Sequence, residues 1–160
     1  MGTCLSIRPV RTSDLEGVRG LFQQLSATSR YRRFFSPLPV VDDRFLRRFV
    51  DVDHRDHEAV VALCGDDIVG LASYDRAVHD AVEAEVAVMV ADAWHHQGVG
   101  RLLTRALGVA AYERGIDRFT AEVLGGNVAP VHLARRMAPS LDVSFVDGHT
   151  HLVMPLRRSA

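Results

Sequence analysis

The sequence predicts a single α/β domain, with a mixed β-sheet and helices packed on its faces. Its 160 residues fit one domain, which typically has about 100–150 residues. Hydrophobic residues make up 48% and charged residues 24%, the composition of an ordinary globular protein rather than a disordered chain. Runs with the two-residue period of strands alternate with runs of helical period, which indicates a layered α/β sheet.

One strand and three helices are predicted for the amino-terminal third. Residues 4–9 favour a strand, and Ser13 with Glu16 three residues later forms a capping box that predicts a helix start. Two shorter helices are predicted over residues 28–35 and 42–52, because the prolines between them must interrupt any helix.

The rest of the chain is predicted to alternate strands and helices. A hairpin is expected around Gly65-Asp66, and Gly115 favours a left-handed stop for the long helix before it. Asp147-Gly148 is the best hairpin turn in the chain. The predicted strands are 58–64, 67–75, 82–91, 118–124, 142–147 and 150–156, and the predicted helices are 98–114 and 128–137.

Composition excludes several classes of function. All 19 Lys and Arg residues are arginine, so a catalytic lysine, a Schiff base and a phosphate-loop lysine are excluded. The formal net charge of −1 provides no overall field for nucleic acid or anionic lipid. No apolar stretch approaches the ~18 residues of a membrane span. Two distant cysteines, Cys4 and Cys64, and the lack of a signal-peptide pattern predict a reducing, cytoplasmic setting.

A glycine-rich segment at residues 95–100 is the most informative part of the sequence. It follows a β-branched strand and opens an amphipathic helix, so Gly98 and Gly100 can let backbone amides turn toward one point. A helix amino terminus carries about half a positive charge, which suits such a loop to a pyrophosphate. The segment lacks the Gly-Lys-Ser/Thr of a Walker loop and the third glycine of a Rossmann fingerprint. Two glycines alone also fit an ordinary helix start.

The segment His95-His96-Gln97-Gly98-Val99-Gly100 resembles the Gln/Arg-x-x-Gly-x-Gly/Ala loop of the GNAT superfamily, the acyl-CoA-dependent N-acyltransferases. His95 stands in place of the Gln or Arg. The predicted element order is also similar to the GNAT fold from end to end. The resemblance implies one GNAT domain over residues 1–160, with its acetyl-CoA core at about 58–140, and a mostly antiparallel, centrally splayed sheet.

By the same resemblance, acetyl-CoA is the expected cosubstrate, and no metal is expected. The backbone at Val88 and Val90 is expected to hold the pantetheine arm, because a strand forced apart leaves backbone groups unpaired. Asn127 is expected to contact the cofactor, to cap the helix that follows it, or both. The expected cofactor-binding residues are Val88, Met89, Val90, His95, His96, Gln97, Gly98, Val99, Gly100, Arg101 and Asn127.

Two glutamates on the predicted strand at 82–91 are candidates for a general base. Glu83 and Glu85 share one face of the strand, and such a face can also be merely solvated. An amine acceptor must lose a proton before it attacks a thioester, because a lysine has a pKa of about 10.4. Ala84-Glu85-Val86-Ala87 resembles the Ala-Glu-x-Ala segment of Pat-like bacterial protein lysine acetyltransferases, which favours Glu85 as the base.

The usual general acid of the family has no counterpart in this sequence. Many members carry a tyrosine seven positions after the asparagine, and that position is Ala134 here. A CoA thiolate is a tolerable leaving group without an acid, and His132 or water could take the acid's place.

An aromatic and basic segment precedes the first proline. Ser29-Arg30-Tyr31-Arg32-Arg33-Phe34-Phe35 resembles the Pat-like segment over the acceptor site, which implies Tyr31, Phe34 and Phe35 as acceptor-binding residues. The pattern also fits core aromatics beneath a solvated arginine face. A nucleic-acid interface, with arginines on phosphates, is the weaker alternative at this net charge.

We therefore expect an N-acetyltransferase that moves acetyl from acetyl-CoA to an amine by direct attack, with Glu85 as base. The resemblance favours a protein lysine as acceptor, with a small-molecule amine or a non-catalytic acyl-CoA-binding domain as alternatives. The expected partners are acetyl-CoA and the amine, not nucleic acid or a membrane, and a homodimer is left open. Three close histidine pairs lack the acidic or cysteine partners that would complete an obvious zinc site.

Overall fold

A computed structural model describes residues 5–36 and 41–157 of the chain. Within them, the predicted elements are present with ends within two residues of those expected. No helix in these ranges is both long and apolar enough to cross a membrane. In chain order the elements are β1 (Leu5–Pro9), α1 (Leu15–Gln23), α2 (Ala27–Phe34), α3 (Asp43–Val50), β2 (His57–Cys64), β3 (Asp67–Arg76), β4 (Glu83–Val90), α4 (Val99–Glu113), β5 (Arg118–Leu124), α5 (Ala129–Met137), β6 (Asp142–Val146) and β7 (His149–Pro155).

The strands form one mixed sheet in the order β1-β2-β3-β4-β5-β7-β6. Neighbouring strands are antiparallel except for β4 and β5, which are parallel. Helices cover both faces, so the central strands are apolar on both sides. Along β2, Val60 and Ala62 pack in the core beneath α4, whereas Ala59 and Val61 pack in the core beneath α1 and α3. The fold class expected from the sequence is confirmed.

The sheet opens between β4 and β5. The two strands pair only from Glu83–Arg118 to Glu85–Thr120, whereas β4 remains paired with β3 as far as Val90. Beyond Glu85, the β4 edge that faces β5 therefore has no strand partner within the described residues. This opening confirms the expected central splay.

The start of α1 differs from the prediction. Residues Thr12–Asp14 form a 3-10 turn, and Asp14 rather than Ser13 precedes the first residue of α1. The Asp14 carboxylate accepts the Arg11 amide at 2.7 Å and both terminal nitrogens of Arg8 at 2.8 Å. The predicted Ser13 cap was wrong: Asp14 precedes α1, and its carboxylate binds Arg8 and the Arg11 amide without capping an α1 amide.

The two following helices begin at side-chain caps. The Ser26 hydroxyl accepts the Ser29 amide at 3.1 Å before α2, and the Asp42 carboxylate accepts the Phe45 amide at 2.8 Å before α3. The predicted proline break at 37–39 and the first strand residue, Cys4, lie outside the described residues.

Candidate active site

The glycine-rich segment forms an exposed loop between β4 and α4. His96 and Gly98 have positive φ angles of 60° and 82°, which turn the backbone sharply before the helix begins. The first intrahelical bond of α4 runs from the Leu102 amide to the Gly98 carbonyl at 3.1 Å. The amides before Leu102 have no helical acceptor, so they are available to an anion at this terminus.

Side chains of the loop hold it against the end of β4. The Nε2 atom of His95 lies 2.9 Å from the Val90 carbonyl oxygen, and the Gln97 side-chain amide donates to the Ala93 carbonyl at 2.8 Å. Because a carbonyl only accepts, Nε2 of His95 must carry the proton in this contact. The residue that replaces the usual Gln or Arg thus anchors the loop to the strand.

The first turn of α4 lies against the open edge of β4. A Cβ atom built on Gly100 would be 3.5 Å from Leu133 of α5 and 4.0 Å from the side chains of Val88 and Val90. The structure therefore brings the loop predicted to bind pyrophosphate next to the strand predicted to bind pantetheine. Met89 points to the opposite face, where it is buried in the core beneath α1 and α3.

Glu85 lies where β4 and β5 separate. It is the last β4 residue with a β5 partner, Thr120, and its side chain is exposed. Glu83, the other candidate, accepts the Arg118 Nε at 3.1 Å and is partly buried in that ion pair. This hydrogen bond is the largest influence that raises the pKa of Arg118. Glu83 is therefore neutralised, whereas Glu85 makes no hydrogen bond within the described residues.

Helix α2 crosses above this part of the sheet and contacts both β4 and β5. It places Arg33 close to Glu85 and to Asp75 of β3. Burial lowers the pKa of Arg33, and the negative charges of Glu85 and Asp75 partly oppose that lowering. The Nε atom of Arg33 is buried without a hydrogen-bond partner in the described part of the chain.

The three residues expected to bind the acceptor lie in different surroundings. Tyr31 is 47% exposed on α2. Phe35 ends α2 in a left-handed conformation, and its ring lies 5.0 Å from that of His149. Phe34 packs among buried aromatic rings, with centroids 5.8 Å from Phe22 and 5.7 Å from Phe45. Packing among the core aromatic rings thus accounts for Phe34, whereas Tyr31 is exposed and Phe35 is partly buried.

The region before α5 places Asn127 differently from a helix cap. Val128 is the capping residue, without a side-chain hydrogen bond, and the Asn127 amide donates to the Leu124 carbonyl at 3.0 Å. Ala134, at the position of the usual acid, is buried in the core and offers no titratable group. His132 is exposed on α5.

One candidate residue was not found from the sequence. Asp75 pairs directly opposite Glu85 across β3 and β4, and its Oδ1 contacts Nδ1 of His57 on β2. The hairpin around Gly65-Asp66 did not give the pairing of His57 with Asp75, because a β-bulge between Ala62 and Leu63 shifts the register of the two strands. The register of β3 with β4 was not predictable, because their connection is not a tight turn.

The histidines form no metal centre among the residues described: no group of three or more His, Cys, Asp or Glu side chains could hold a metal ion there. His149 lies 4.0 Å from the Glu122 carboxylate, and His54 hydrogen-bonds to Glu58 at 2.8 Å. Each of these two contacts joins one histidine to one carboxylate.

Known proteins resemble this chain in both sequence and fold. The family model of the acetyltransferase (GNAT) domain matches residues 5–138. Over 130 residues the chain is 34% identical to acetyltransferase Pat of Mycolicibacterium smegmatis, which covers 80% of this chain but only 39% of that relative. The chain thus spans less than half of the length of this curated protein.

Solved structures also resemble this chain in fold. The GNAT domain of PAT from S. lividans superposes with a TM-score of 0.86 at 33% identity, covering 94% of this chain and 89% of that one. A cAMP-binding acyltransferase from Mycobacterium smegmatis has a TM-score of 0.64 at 27% identity, covering 96% of this chain and 44% of that one. The yncA protein of Salmonella typhimurium, solved with its cofactor acetyl-CoA, shares the fold with a TM-score of 0.77 at 18% identity, covering 98% and 96%.

Proposed function

Because this chain belongs to the GNAT family of acetyltransferases, we propose that it transfers acetyl from acetyl-CoA to the side-chain amine of a protein lysine, with Glu85 as the general base. The observation that carries the proposal is the position of Glu85. An exposed carboxylate without a hydrogen-bond partner in the described residues lies at the opening of the sheet. It lies on the same strand as Val88 and Val90, which the amide-rich loop contacts through Gly100.

The donor half of the site has the groups that acetyl-CoA requires. Free amides at residues 98–101 suit its pyrophosphate, and Arg101 adds an exposed positive charge. The edge of β4 beyond Glu85 has no strand partner within the described residues, so Val88 and Val90 can offer backbone groups to the pantetheine amides, although the Val90 carbonyl already accepts from His95. We propose that the half-buried Asn127 contacts the same ligand, since its side chain caps no helix. Acetyl-CoA supplies the activated acyl group as a thioester.

We assign to Glu85 the removal of a proton from the acceptor amine. The acceptor arrives as an ammonium, and Glu85 takes one of its protons directly or through a water. The neutral amine then forms a C–N bond to the acetyl carbonyl carbon as the C–S bond breaks. The products are an amide and CoA; the second amine proton is released to solvent, and Glu85 returns the proton that it accepted to solvent before the next turnover.

The departure of CoA is proposed to need no protein acid. Ala134 is buried and carries no proton to donate. A thiol has a pKa of about 8.5, so its thiolate leaves readily and takes a proton from water. This is the respect in which the site departs most from the family pattern.

A protein lysine is the proposed acceptor, on two grounds. The segment with Tyr31 and Phe35 resembles that of Pat-like enzymes, and α2 carries it over the opening beside Glu85. Acetyltransferase Pat of Mycolicibacterium smegmatis aligns with most of this chain.

The variant Glu85→Gln tests the base. We expect kcat at saturating acetyl-CoA to fall about 100-fold or more with lysine peptides as acceptors, because proton transfer by a positioned side chain contributes about 10²–10⁴ in rate. Acetyl-CoA affinity, measured by calorimetry, should change less than about twofold. The matched control is Glu113→Gln, an exposed glutamate at the end of α4. A Glu85→Gln enzyme with the wild-type kcat would contradict the assignment.

The buried Ala134 favours one second candidate, a non-catalytic domain that binds acyl-CoA. The same assay separates the two functions. Acetyl-CoA binding without CoA release, over a panel of peptides and small amines, would support the binding domain. CoA release with a small amine but no peptide would instead indicate a small-molecule acetyltransferase.

A further inference from the structure

A row of polar side chains crosses the sheet at the point where it opens. Cross-strand pairing aligns His57, Asp75, Glu85 and Thr120 on four consecutive strands, β2, β3, β4 and β5. Directly opposed residues project from the same face of a sheet, with Cβ atoms about 4.5–5.5 Å apart. Asp75 and Glu85 are therefore adjacent carboxylates on the face beneath α2.

Arg33 of α2 faces this pair of carboxylates, but neither carboxylate forms an ion pair with an arginine within the described residues. Like charges directly opposite each other on neighbouring strands are destabilising. Asp14 and Glu83, which are buried and partly buried, are held in ion pairs with Arg8 and Arg118, whereas Asp75 and Glu85 are exposed. Glu85 has no hydrogen bond within the described residues, and Asp75 contacts only a histidine there. The pair is thus available to a cation from outside.

The Asp75 carboxylate has one oxygen in contact with His57 and a second oxygen that can still accept hydrogen bonds. His57 Nδ1 contacts Oδ1, which leaves Oδ2 with its full accepting capacity. The Asp75 side chain is 65% exposed, so a ligand can reach it. Arg33, which faces both carboxylates from α2, supplies one positive charge beside the two negative ones.

We propose that Asp75 and Glu85 together bind the ammonium group of the acceptor, and that Asp75 selects a primary amine in its cationic form. This inference rests on the proposed acetyltransferase function. An ammonium has three N–H donors, enough to contact one oxygen of each carboxylate at once. Glu85 then takes the proton, while Asp75 keeps the nitrogen at the opening of the sheet. Asp75 is a binding residue and takes no proton itself.

The test measures acceptor binding separately from turnover. Nα-acetyl-lysine N-methylamide and its norleucine analogue, which lacks only the amine, are titrated against the chain saturated with CoA. The wild-type chain should prefer the lysine compound, and Asp75→Asn should reduce that preference about tenfold, since one charge-assisted contact is lost. Asp75→Glu, which keeps the charge, should restore most of it. Asp67→Asn, an exposed residue at the other end of β3, should leave the preference unchanged.

Steady-state kinetics provide the second readout. Asp75→Asn should raise KM for the lysine compound about tenfold and leave kcat and the KM for acetyl-CoA within about twofold. An unchanged lysine preference in Asp75→Asn, or a loss confined to kcat, would overturn the inference. Selective lysine binding that needs Asp75, in a chain that releases no CoA, would support the recognition site and contradict the proposed function.

Discussion

Two glutamates of this protein, Glu58 and Glu85, have contrasting surroundings. Glu58 is 2% exposed; it hydrogen-bonds to His54 Nδ1 and the Ala59 amide at 2.8 and 2.9 Å and forms an ion pair with Arg114 at 3.1 Å. Glu85, by contrast, is exposed at the opening of the sheet. Burial with a full set of partners marks a carboxylate that stabilises the fold, whereas exposure at the opening marks one available to a substrate.

The ion pair of buried Glu58 with Arg114 predicts that loss of Arg114 lowers the stability of the fold. Replacement by Met should lower the free energy of unfolding by about 3 kcal/mol, because Glu58 would keep its burial but lose its arginine. Urea unfolding at pH 7 measures this change. The control Arg105→Met, an exposed position of α4, should stay within about 0.5 kcal/mol of wild type. Equal effects for the two variants would contradict a stabilising role for the Glu58–Arg114 pair.

The ion pair of Asp14 with Arg8 predicts that the stability of the fold depends on pH. The hydrogen bond from Arg8 lowers the pKa of Asp14 below its ordinary value, so the carboxylate stabilises the fold above the pKa of the unfolded chain. That contribution is lost as pH falls through the lowered pKa. Asp14→Asn should therefore be less stable than wild type at pH 7, and the difference should shrink at pH 3 and below. A difference independent of pH would show that the ion pair is not its source.

At the scale of elements, the loop and the first turn of α4 form one binding unit. Strand β4 ends at Val90, His95 ties the loop back to that residue, and Gly98 turns the chain into the helix. The resulting cluster of free amides depends on the left-handed conformation of Gly98, which a Cβ disfavours by about 1–2 kcal/mol.

Gly98→Ala should weaken acetyl-CoA binding by up to about tenfold, with a smaller effect on kcat. Calorimetric titration of acetyl-CoA is the measurement. Gly20→Ala provides the comparison, because a Cβ at Gly20 meets no atom within 4 Å and alanine favours the helix. If Gly98→Ala bound acetyl-CoA as tightly as Gly20→Ala, the loop geometry would not matter for binding.

Local patterns predicted most elements but not the contacts between distant residues. The left-handed Gly115 and the Asp147-Gly148 turn, with φ angles of 81°, 50° and 81°, follow from short-range preferences. The 3-10 turn that moves the start of α1 from Ser13 to Asp14 was not predicted from them. The choice of Glu85 over Glu83 came from resemblance, and the Arg118 pair that engages Glu83 was visible only in the structure. Asp75 was missed because the β3–β4 register depends on the whole sheet.

For the whole molecule, the absence of lysine has a consequence for a lysine acetyltransferase. All 19 Lys and Arg residues are arginine, so the side chains offer no amine to acetyl-CoA. After prolonged incubation with acetyl-CoA, peptide mass spectrometry should find no acetylated side-chain nitrogen in the chain. A stable acetyl group on an internal nitrogen would contradict this expectation.

The central claim is that Glu85 removes the proton from a cationic amine at the opening of the sheet. The most direct measurement is single-turnover CoA release with a lysine peptide and saturating acetyl-CoA, for wild type and Glu85→Gln at pH 7 and pH 9.5. We expect the rate for Glu85→Gln to be about 100-fold below wild type at pH 7 and closer to wild type at pH 9.5, where more of the amine is already neutral. Equal rates for the two proteins at pH 7 would contradict it.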